Sequence, residues 1–459
     1  MNDTEIRSYV EAHAARFLQE LEALVSLPSI STLPEHADDV RRAAGWLAAR
    51  ISADTGVPAQ VVETAGHPLV YGEWLGAPGK PTVLLYGHYD VQPVDPIELW
   101  RTPPFAPTVI GDSLYARGAV DDKGPTYAAL KALEVLRATT GTLPVNIKIL
   151  LEGEEESGGQ AIAAYVRANP TALAADCALI LDTGMIAPGI PTMSYGLRGI
   201  TYCEIEARGA AGDLHSGVYG GIAPNPIQAL CWALAEIKGR DGRINLPGLY
   251  EMMRPLSDAE RAVFAELETQ ATQVLQDAAG LAVLPGEAGF GVVERATARP
   301  TFEVHGIRGG FTAEGAKTVI PALAVAKVSL RLVADQRSDA VRELLAARLA
   351  ELQPPGITFT LHNLQGGEAV TFPLDAPPLQ AASAALEAEF GRSVQYMREG
   401  GSIGVAALFS EVLQLPGVMM GFGLADDNVH APNEKFHIPN FYAAIRSVAG
   451  FLQRYGGGS

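Results

Sequence analysis

Six side chains of the types that bind metal ions are spread along the chain: His88, Asp121, Glu155, Glu156, Asp182 and His430. Most of them are far apart in sequence, so only tertiary folding can bring them together. Imidazole nitrogens and carboxylate oxygens without cysteine suit borderline divalent ions such as zinc, manganese or cobalt. Carboxylates can also bridge two such ions, a geometry that activates a shared water molecule. The set therefore indicates a metal centre that could catalyse hydrolysis.

Neighbouring residues leave a structural interpretation open for each member. Asp90 lies two residues after His88 and could orient its imidazole through the second ring nitrogen. Asp121 and Asp122 precede a predicted helix, where acidic residues often act as caps. The acidic run 154–156 could equally be a solvated charged surface. The joint placement favours the metal centre, because adjacent acids at the end of an apolar strand repel one another and need a cation.

The elements that would position these residues are four short apolar runs bounded by glycine and polar residues. Such runs are typical of buried strands in an α/β sheet, and they cover 82–87, 145–153, 177–182 and 417–423. A helical pattern within 121–138 separates the first two runs, which predicts a parallel strand–helix–strand unit. Acids or histidine follow each run, where the ligand crevice of an open α/β sheet lies.

The pattern changes between residues 198 and 370. Segments 201–209, 327–335 and 357–362 alternate apolar and polar residues, as half-buried strands do. Helical patterns over 227–237 and 339–353 complete a ferredoxin-like α+β arrangement. The sequence therefore predicts an α/β catalytic domain with a mostly parallel central sheet, formed by 1–197 and 371–455. An α+β domain at 198–370 is inserted into it, and 456–459 are expected to be a linker tail.

Composition excludes several classes of protein. Hydrophobic residues make up 48% of the 459 residues, enough for buried cores, so wholesale disorder is excluded. The net charge of −18 disfavours binding to nucleic acid, and no apolar run approaches the roughly 20 residues of a membrane span. Three cysteines give neither a disulfide framework nor a paired metal motif. These features predict a cytoplasmic protein with no nucleic-acid or membrane partner.

Several motifs then resemble a known family. In order they are GHYDVQPV, RGAVDDKGP, LEGEEESG, the YGLRG turn, DLHSGVYGG, KTVIP, REGGSI and DDNVHAPNEKF. They are similar to the signature segments of the dinuclear-metal peptidases that include carnosinase and the cytosolic nonspecific dipeptidase, and the likeness runs from about Val83 to Phe436. The resemblance implies a zinc-exopeptidase-like catalytic domain with an inserted lid domain that also forms a homodimer.

The same resemblance implies a role for each site residue. Asp121 would bridge two ions, usually zinc or manganese, with His88 and Asp182 completing one site and Glu156 and His430 the other. Glu155 would be the general base, with Asp90 supporting the catalytic centre. His215 would reach the partner subunit's active site and stabilise the oxyanion. Substrate contacts would come from His215, Thr318, Arg331 and Ser402, whereas the flanks of His362 do not support an assignment.

The leading hypothesis is metal-dependent hydrolysis of the amide bond of dipeptides by a metal-activated water. An N-acyl amino acid deacylase of the acetylornithine or succinyl-diaminopimelate type could use the same dinuclear site. A non-catalytic binding protein would be expected to lack a ligand or the base, and none is missing. Phosphoryl transfer is disfavoured because no glycine-rich phosphate loop accompanies the acids.

Overall fold

The computed structural model describes residues 3–401 and 403–457, which form two compact units. The first unit comprises the described residues up to Tyr195, then Phe372–Met397, and those from Gly404 onward. The second comprises Gly196–Thr371 and Arg398–Ile403. The crossing of 398–403 into the second unit has no counterpart in the predicted domain boundaries.

The helices and strands are numbered in chain order. The helices are α1 (Asp3–Val25), α2 (Ala37–Arg50), α3 (Lys123–Thr140), α4 (Gln160–Ala168), α5 (Ser216–Tyr219), α6 (Pro226–Ile237), α7 (Asp258–Ala279), α8 (Val292–Thr297), α9 (Ser338–Leu352), α10 (Pro377–Phe390), α11 (Gly404–Leu408) and α12 (Ile438–Gly457). The strands are β1 (Ala59–Val62), β2 (Leu69–Trp74), β3 (Thr82–His88), β4 (Thr108–Ile110), β5 (Ser113–Tyr115), β6 (Asn146–Glu152), β7 (Cys177–Ile180), β8 (Thr192–Leu197), β9 (Gly199–Arg208), β10 (Leu214–His215), β11 (Thr301–Gly309), β12 (Val319–Ile320), β13 (Leu323–Leu332), β14 (Thr358–Gly367), β15 (Val370–Thr371), β16 (Gln395–Glu399), β17 (Gly417–Gly421) and β18 (Lys435–His437).

The central sheet of the first unit contains the four predicted buried strands. Its strands run in the order β1-β2-β6-β3-β7-β17-β8. β3 pairs in parallel with β6 and β7, and β7 pairs in parallel with β17. Every residue of β6, β7 and β17 is buried, as expected for strands covered on both faces. The predicted parallel core of the α/β fold is confirmed.

The helix α3 forms the crossover between β3 and β6. Residues 123–136 are all buried, because α3 packs against α1 and α12 as well as the sheet. Gly124 lets the first turn of α3 pack closely on the loop that precedes it, since a Cβ there would lie 2.1 Å from the carbonyl oxygen of Ala119. The predicted strand–helix–strand unit is therefore present, and its helix begins one residue after Asp122.

The second unit contains a four-stranded antiparallel sheet in the order β11-β13-β9-β14. Buried and half-buried residues alternate along β9, and the buried set includes Cys203, Ile205 and Ala207. These side chains share one core with residues of both α6 and α9, such as Leu230 and Leu345. Strand order and helix placement agree with the predicted ferredoxin-like arrangement.

The predicted linker tail at 456–459 differs from the structure in its first half. The helix α12 continues through Gly457, and Gly456 is buried against Pro144. Gly458 and Ser459 lie outside the described residues. Across 3–401 and 403–457, no helix has both the length and the apolar composition needed to cross a membrane. Cys177, Cys203 and Cys231 are all free thiols, and only Cys231 is exposed.

Candidate metal centre

Three parallel strands end beside one another and supply part of the centre. His88 is the last residue of β3, and Asp182 follows the end of β7. Glu155 and Glu156 lie on a short 3₁₀ turn just after β6. Because β3 lies between β6 and β7, the residues that follow these strands meet at one edge of the sheet. This edge is where ligand sites of open α/β sheets form.

One group of candidate ligands consists of His88, Asp121 and Asp182, whose ligand atoms all lie within 4.8 Å of one another. His88 Nε2 is 3.0 Å from Asp121 Oδ1 and 3.9 Å from Asp182 Oδ2. The imidazole of His88 is fully buried. One nitrogen and two carboxylate oxygens around a common point form a donor set that suits a divalent ion.

A second group consists of Asp121, Glu156 and His430, again within 4.8 Å. His430 Nε2 lies 2.8 Å from Asp121 Oδ2 and 3.2 Å from Glu156 Oε2. Glu156 Oε2 also accepts a hydrogen bond of 2.7 Å from the side-chain amide of Gln92. Asp121 thus directs one oxygen toward each histidine, which is the arrangement that a bridging carboxylate requires.

Asp90 supports two parts of the centre. Its Oδ1 lies 3.5 Å from His88 Nδ1, and its main-chain oxygen lies 3.1 Å from the same nitrogen. The carboxylate also accepts hydrogen bonds from the backbone amides of Glu155 (3.2 Å) and Glu156 (3.1 Å). The sequence indicated only the contact with His88. The second contact fixes the turn that carries the two glutamates.

Burial and neighbouring charges change the protonation of the centre. Burial raises the pKa of Glu155 to about 7, and the carboxylates of Glu156 and Asp121 add to this rise. Hydrogen bonds to Asp121 and Glu156 raise the pKa of His430 to about 10. Burial, together with Asp122 and Asp121, raises the pKa of Asp182 well above its ordinary value. These shifts are typical of groups that exchange protons for metal ions.

Asp122 is not used as a side-chain cap for α3. Its Oδ2 accepts hydrogen bonds from the hydroxyl of Thr126 (2.7 Å) and the amide of His88 (3.3 Å). Gly87 makes this contact possible, since a Cβ at this position would lie 1.7 Å from Thr126 Oγ1. The DDKG segment is therefore packed directly against the end of β3, and this packing brings Asp121 to His88.

The residue that sequence reasoning missed is Glu434, four residues after His430. Its buried carboxylate binds three amides in 118–121 and the side chain of Arg117. The only signal in the sequence was its place in the motif HAPNEKF. A charged residue close to a candidate ligand is easily taken for a solvated one. Hydrogen bonds to backbone amides cannot be predicted from the pattern of side-chain types.

A third cluster of carboxylates is already neutralised. Glu20, Asp54 and Glu134 have oxygens within 4.8 Å of one another. The ammonium of Lys131 lies among them, at 2.6 Å from Glu20 and 2.7 Å from each of the other two. Because a buried cation fills this cluster, we assign it a structural role.

Three further residues implied by the resemblance, His215, Thr318 and Arg331, belong to the second unit. His215 ends β10, and Thr318 directly precedes β12, the strand that pairs with β10. The amide of Ser216 donates a hydrogen bond of 3.1 Å to the main-chain oxygen of Thr318. His215 Nδ1 accepts a hydrogen bond of 2.9 Å from the amide of Gly217. Arg331 is half-buried on β13, opposite Ile200 of β9. Ser402 lies outside the described residues, and His362 is exposed on β14.

Comparison with known proteins shows the family of the chain. The sequence model of peptidase family M20/M25/M40 matches residues 84–454. The chain belongs to this family. It is 29% identical over 473 residues to the Cys-Gly metallodipeptidase DUG1 of Saccharomyces cerevisiae, covering 98% of each chain. It is also 29% identical to the human Beta-Ala-His dipeptidase, covering 98% of this chain and 92% of the relative.

A solved structure agrees with the sequence relatives. An M20 family metallo-carboxypeptidase from Sulfolobus solfataricus is 32% identical and has a TM-score of 0.85, covering 96% of this chain and 99% of the other. The predicted family resemblance and the predicted fold are confirmed. As a member of the M20 peptidases, the chain is a metal-dependent hydrolase of peptide bonds, and its two candidate ligand groups fit divalent ions.

Proposed function

We propose that this chain is a dipeptidase with two divalent ions, zinc or manganese, held on either side of Asp121. The observation that carries the proposal is the sharing of Asp121 between the two candidate ligand groups. His88 and Asp182 would hold one ion, and Glu156 and His430 the other. The ions would polarise the substrate carbonyl and lower the pKa of water in the site.

Glu155 is the proposed general base. Its neighbour Glu156 belongs to the second ligand group, and burial raises the pKa of Glu155 to about 7. A carboxylate with this pKa can accept a proton from water near neutral pH, hold it, and donate it to the departing amine. Asp90 fixes the backbone of Glu155 through a hydrogen bond of 3.2 Å, so the base is held by a buried acceptor.

The substrate class follows from the relatives. Two of them are named for the dipeptides Cys-Gly and Beta-Ala-His. Arg331 is the proposed partner of the free carboxylate of the substrate, because a guanidinium binds a carboxylate with two parallel hydrogen bonds and stays charged at any working pH. Thr318 and Ser402 are proposed to add neutral hydrogen bonds to the same end of the substrate.

His215 is proposed to act in the active site of a second copy of the chain, which requires a homodimer. Oxyanion donors of this kind contribute about 10²–10³-fold to kcat. Mixing inactive His215→Ala with inactive Glu155→Gln should restore activity, because one composite site in the heterodimer is intact. Subunit exchange that is confirmed by mass spectrometry without any recovery of activity would exclude this role. A cytoplasmic location is proposed from the three free cysteines.

The deciding experiment compares substrates after chelation and re-addition of Zn²⁺ or Mn²⁺. The panel contains dipeptides, their C-terminal amides, tripeptides and N-acetyl amino acids. We expect hydrolysis of free dipeptides and little hydrolysis of the amides, since the amides lack the carboxylate for Arg331. Efficient release of acetate from N-acetyl amino acids, with dipeptides left intact, would instead identify the deacylase alternative.

A further inference from the structure

Glu434 is a fully buried carboxylate whose two oxygens are both used. Oε1 accepts hydrogen bonds from the amides of Val120 (3.0 Å) and Asp121 (3.2 Å). Oε2 accepts from the amide of Gly118 (2.9 Å) and from Arg117 Nη1 (2.7 Å). Four donors on one carboxylate offset much of the cost of burying a charge.

An ion pair with Arg117 does not by itself explain why both oxygens of Glu434 accept hydrogen bonds. The guanidinium of Arg117 is itself buried, donates to the carbonyl of Pro93 (3.0 Å) and lies over the ring of Trp100. An ion pair with Glu434 needs only Oε2. The other oxygen serves the backbone of Val120 and Asp121 alone, so the carboxylate is built around the segment that carries Asp121.

The same residue fastens the segment that carries His430. The amide of Ala116 donates a hydrogen bond of 3.1 Å to the main-chain oxygen of Glu434, so backbone and side chain bind the same partner loop. His430 lies four residues earlier, with a left-handed φ of 61°. This backbone conformation is unfavourable for a residue other than glycine, and it persists where the surrounding structure imposes it.

We propose that Glu434 is a positioning residue of the metal centre, which holds Asp121 and His430 at the separation that the second ion requires. The proposal rests on the metal site proposed above. His88 and Asp182 are positioned by the adjacent strands β3 and β7, so they depend less on Glu434. Loss of the carboxylate should therefore weaken one ion more than the other.

The test is a calorimetric titration with Mn²⁺ alone. It uses protein from which metal has been removed by a chelator, and it compares the parent, Glu434→Gln and Glu434→Asp. Glu134→Gln is the matched control, because it disturbs a buried charge cluster of the same unit that does not contact the centre. We expect the affinity for the weaker ion to fall about 10–100-fold in both Glu434 variants, as for lost outer-sphere partners, and to stay within about twofold in the control.

A second measurement separates positioning from general destabilisation. If Glu434 acts through the ion, a higher Mn²⁺ concentration restores kcat of the variants toward that of the parent, with only the metal requirement shifted. Glu434→Asp keeps the charge opposite Arg117, so it decides the question if Glu434→Gln does not fold. Unchanged Mn²⁺ affinities in both Glu434 variants would overturn the proposal. A parent protein that binds no Mn²⁺ would instead contradict the proposed function.

Discussion

The two candidate ligand groups share Asp121, yet their histidines stand in different surroundings. His88 ends a strand and its side chain is 0% exposed, whereas the side chain of His430 is 53% exposed on a loop. Regular hydrogen bonding of the sheet fixes the first histidine. The second depends on a few specific contacts of its loop. We infer that the group containing His88 is preorganised, and that the ion at the group containing His430 binds more weakly and is lost first.

The largest expected effect removes the residue common to both groups. Asp121→Ala should lose both ions, because no other described carboxylate is shared by the two groups. The loss of metal affinity should exceed the roughly 100-fold that loss of an outer-sphere partner costs. Metal analysis of the purified variant measures this effect. If the variant retained two ions with parental affinity, Asp121 would not bridge them, and the comparison of two groups that share it would fail.

Glu155→Gln should leave both groups intact and remove the base. We expect normal metal content and folding, with kcat lowered by about 10²–10⁴-fold, because the amide cannot accept the proton. Steady-state kinetics on a dipeptide, together with metal analysis, measures both quantities. Asp90 and the turn geometry are unaffected by this change. Near-parental turnover would move the base elsewhere, and the neighbouring Glu154 would be the first residue to examine.

His88→Ala and His430→Ala test the difference between the groups directly. The first change leaves Asp90 and Asp121 without their buried partner, so the metal-free protein should lose about 1–3 kcal/mol of stability. The second removes a half-exposed side chain whose ion pairs with Asp121 and Glu156 are screened by solvent, so it should cost less, about 1 kcal/mol or below. Denaturant unfolding of the chelated variants gives both values. Equal destabilisation would contradict the inference that one group is preorganised and the other is not.

The smallest expected effect is a pH dependence of stabilisation by metal. In the metal-free fold the pKa is raised from 4.5 to about 7 for Glu155 and from 6.5 to about 10 for His430. A raised pKa means that bound protons stabilise the fold below the unfolded pKa, and that this contribution is lost as pH rises through the folded pKa. Metal ions displace such protons, so they bind more tightly at higher pH.

We therefore expect the difference in Tm between metal-loaded and chelated protein to be larger at pH 8 than at pH 6. Thermal unfolding at fixed Mn²⁺ concentration measures this difference. In His430→Ala the dependence should shrink, because one of the protons exchanged for metal is gone. A difference in Tm that does not change between the two pH values would show that the centre holds no such protons.

The parts of the centre that sequence could predict are those that follow apolar strands. The runs that end at His88 and Asp182 proved to be buried parallel strands, because short apolar runs bounded by glycine and polar residues are typical of strands covered on both faces. The two glutamates after β6 follow the same rule. The ferredoxin-like sheet was predictable for a related reason, since its alternation matches one buried face.

The contacts made by backbone groups could not be predicted. The amides that bind Asp90 and Glu434 belong to a turn and a loop whose conformations depend on tertiary packing. The assignment of Arg398–Ile403 to the second unit could not be predicted either, because this segment carries no periodic pattern. Side-chain types therefore located the candidate ligands, whereas the groups that hold them in place became visible only in three dimensions.

The lysine inside the third carboxylate cluster bears on how the protein responds to scarcity of metal. The ammonium of Lys131 is attached to α3 by its own covalent stem, so a chelator cannot extract it. Lys131 therefore neutralises the carboxylates at the contact between α1 and α3 whatever metal ions the solution contains. Loss of metal would thus abolish activity at the edge of the sheet that carries the metal centre, while α1 and α3 stay packed together. The metal-free protein would then stay folded but inactive, and its catalytic activity would return when metal ions bind again.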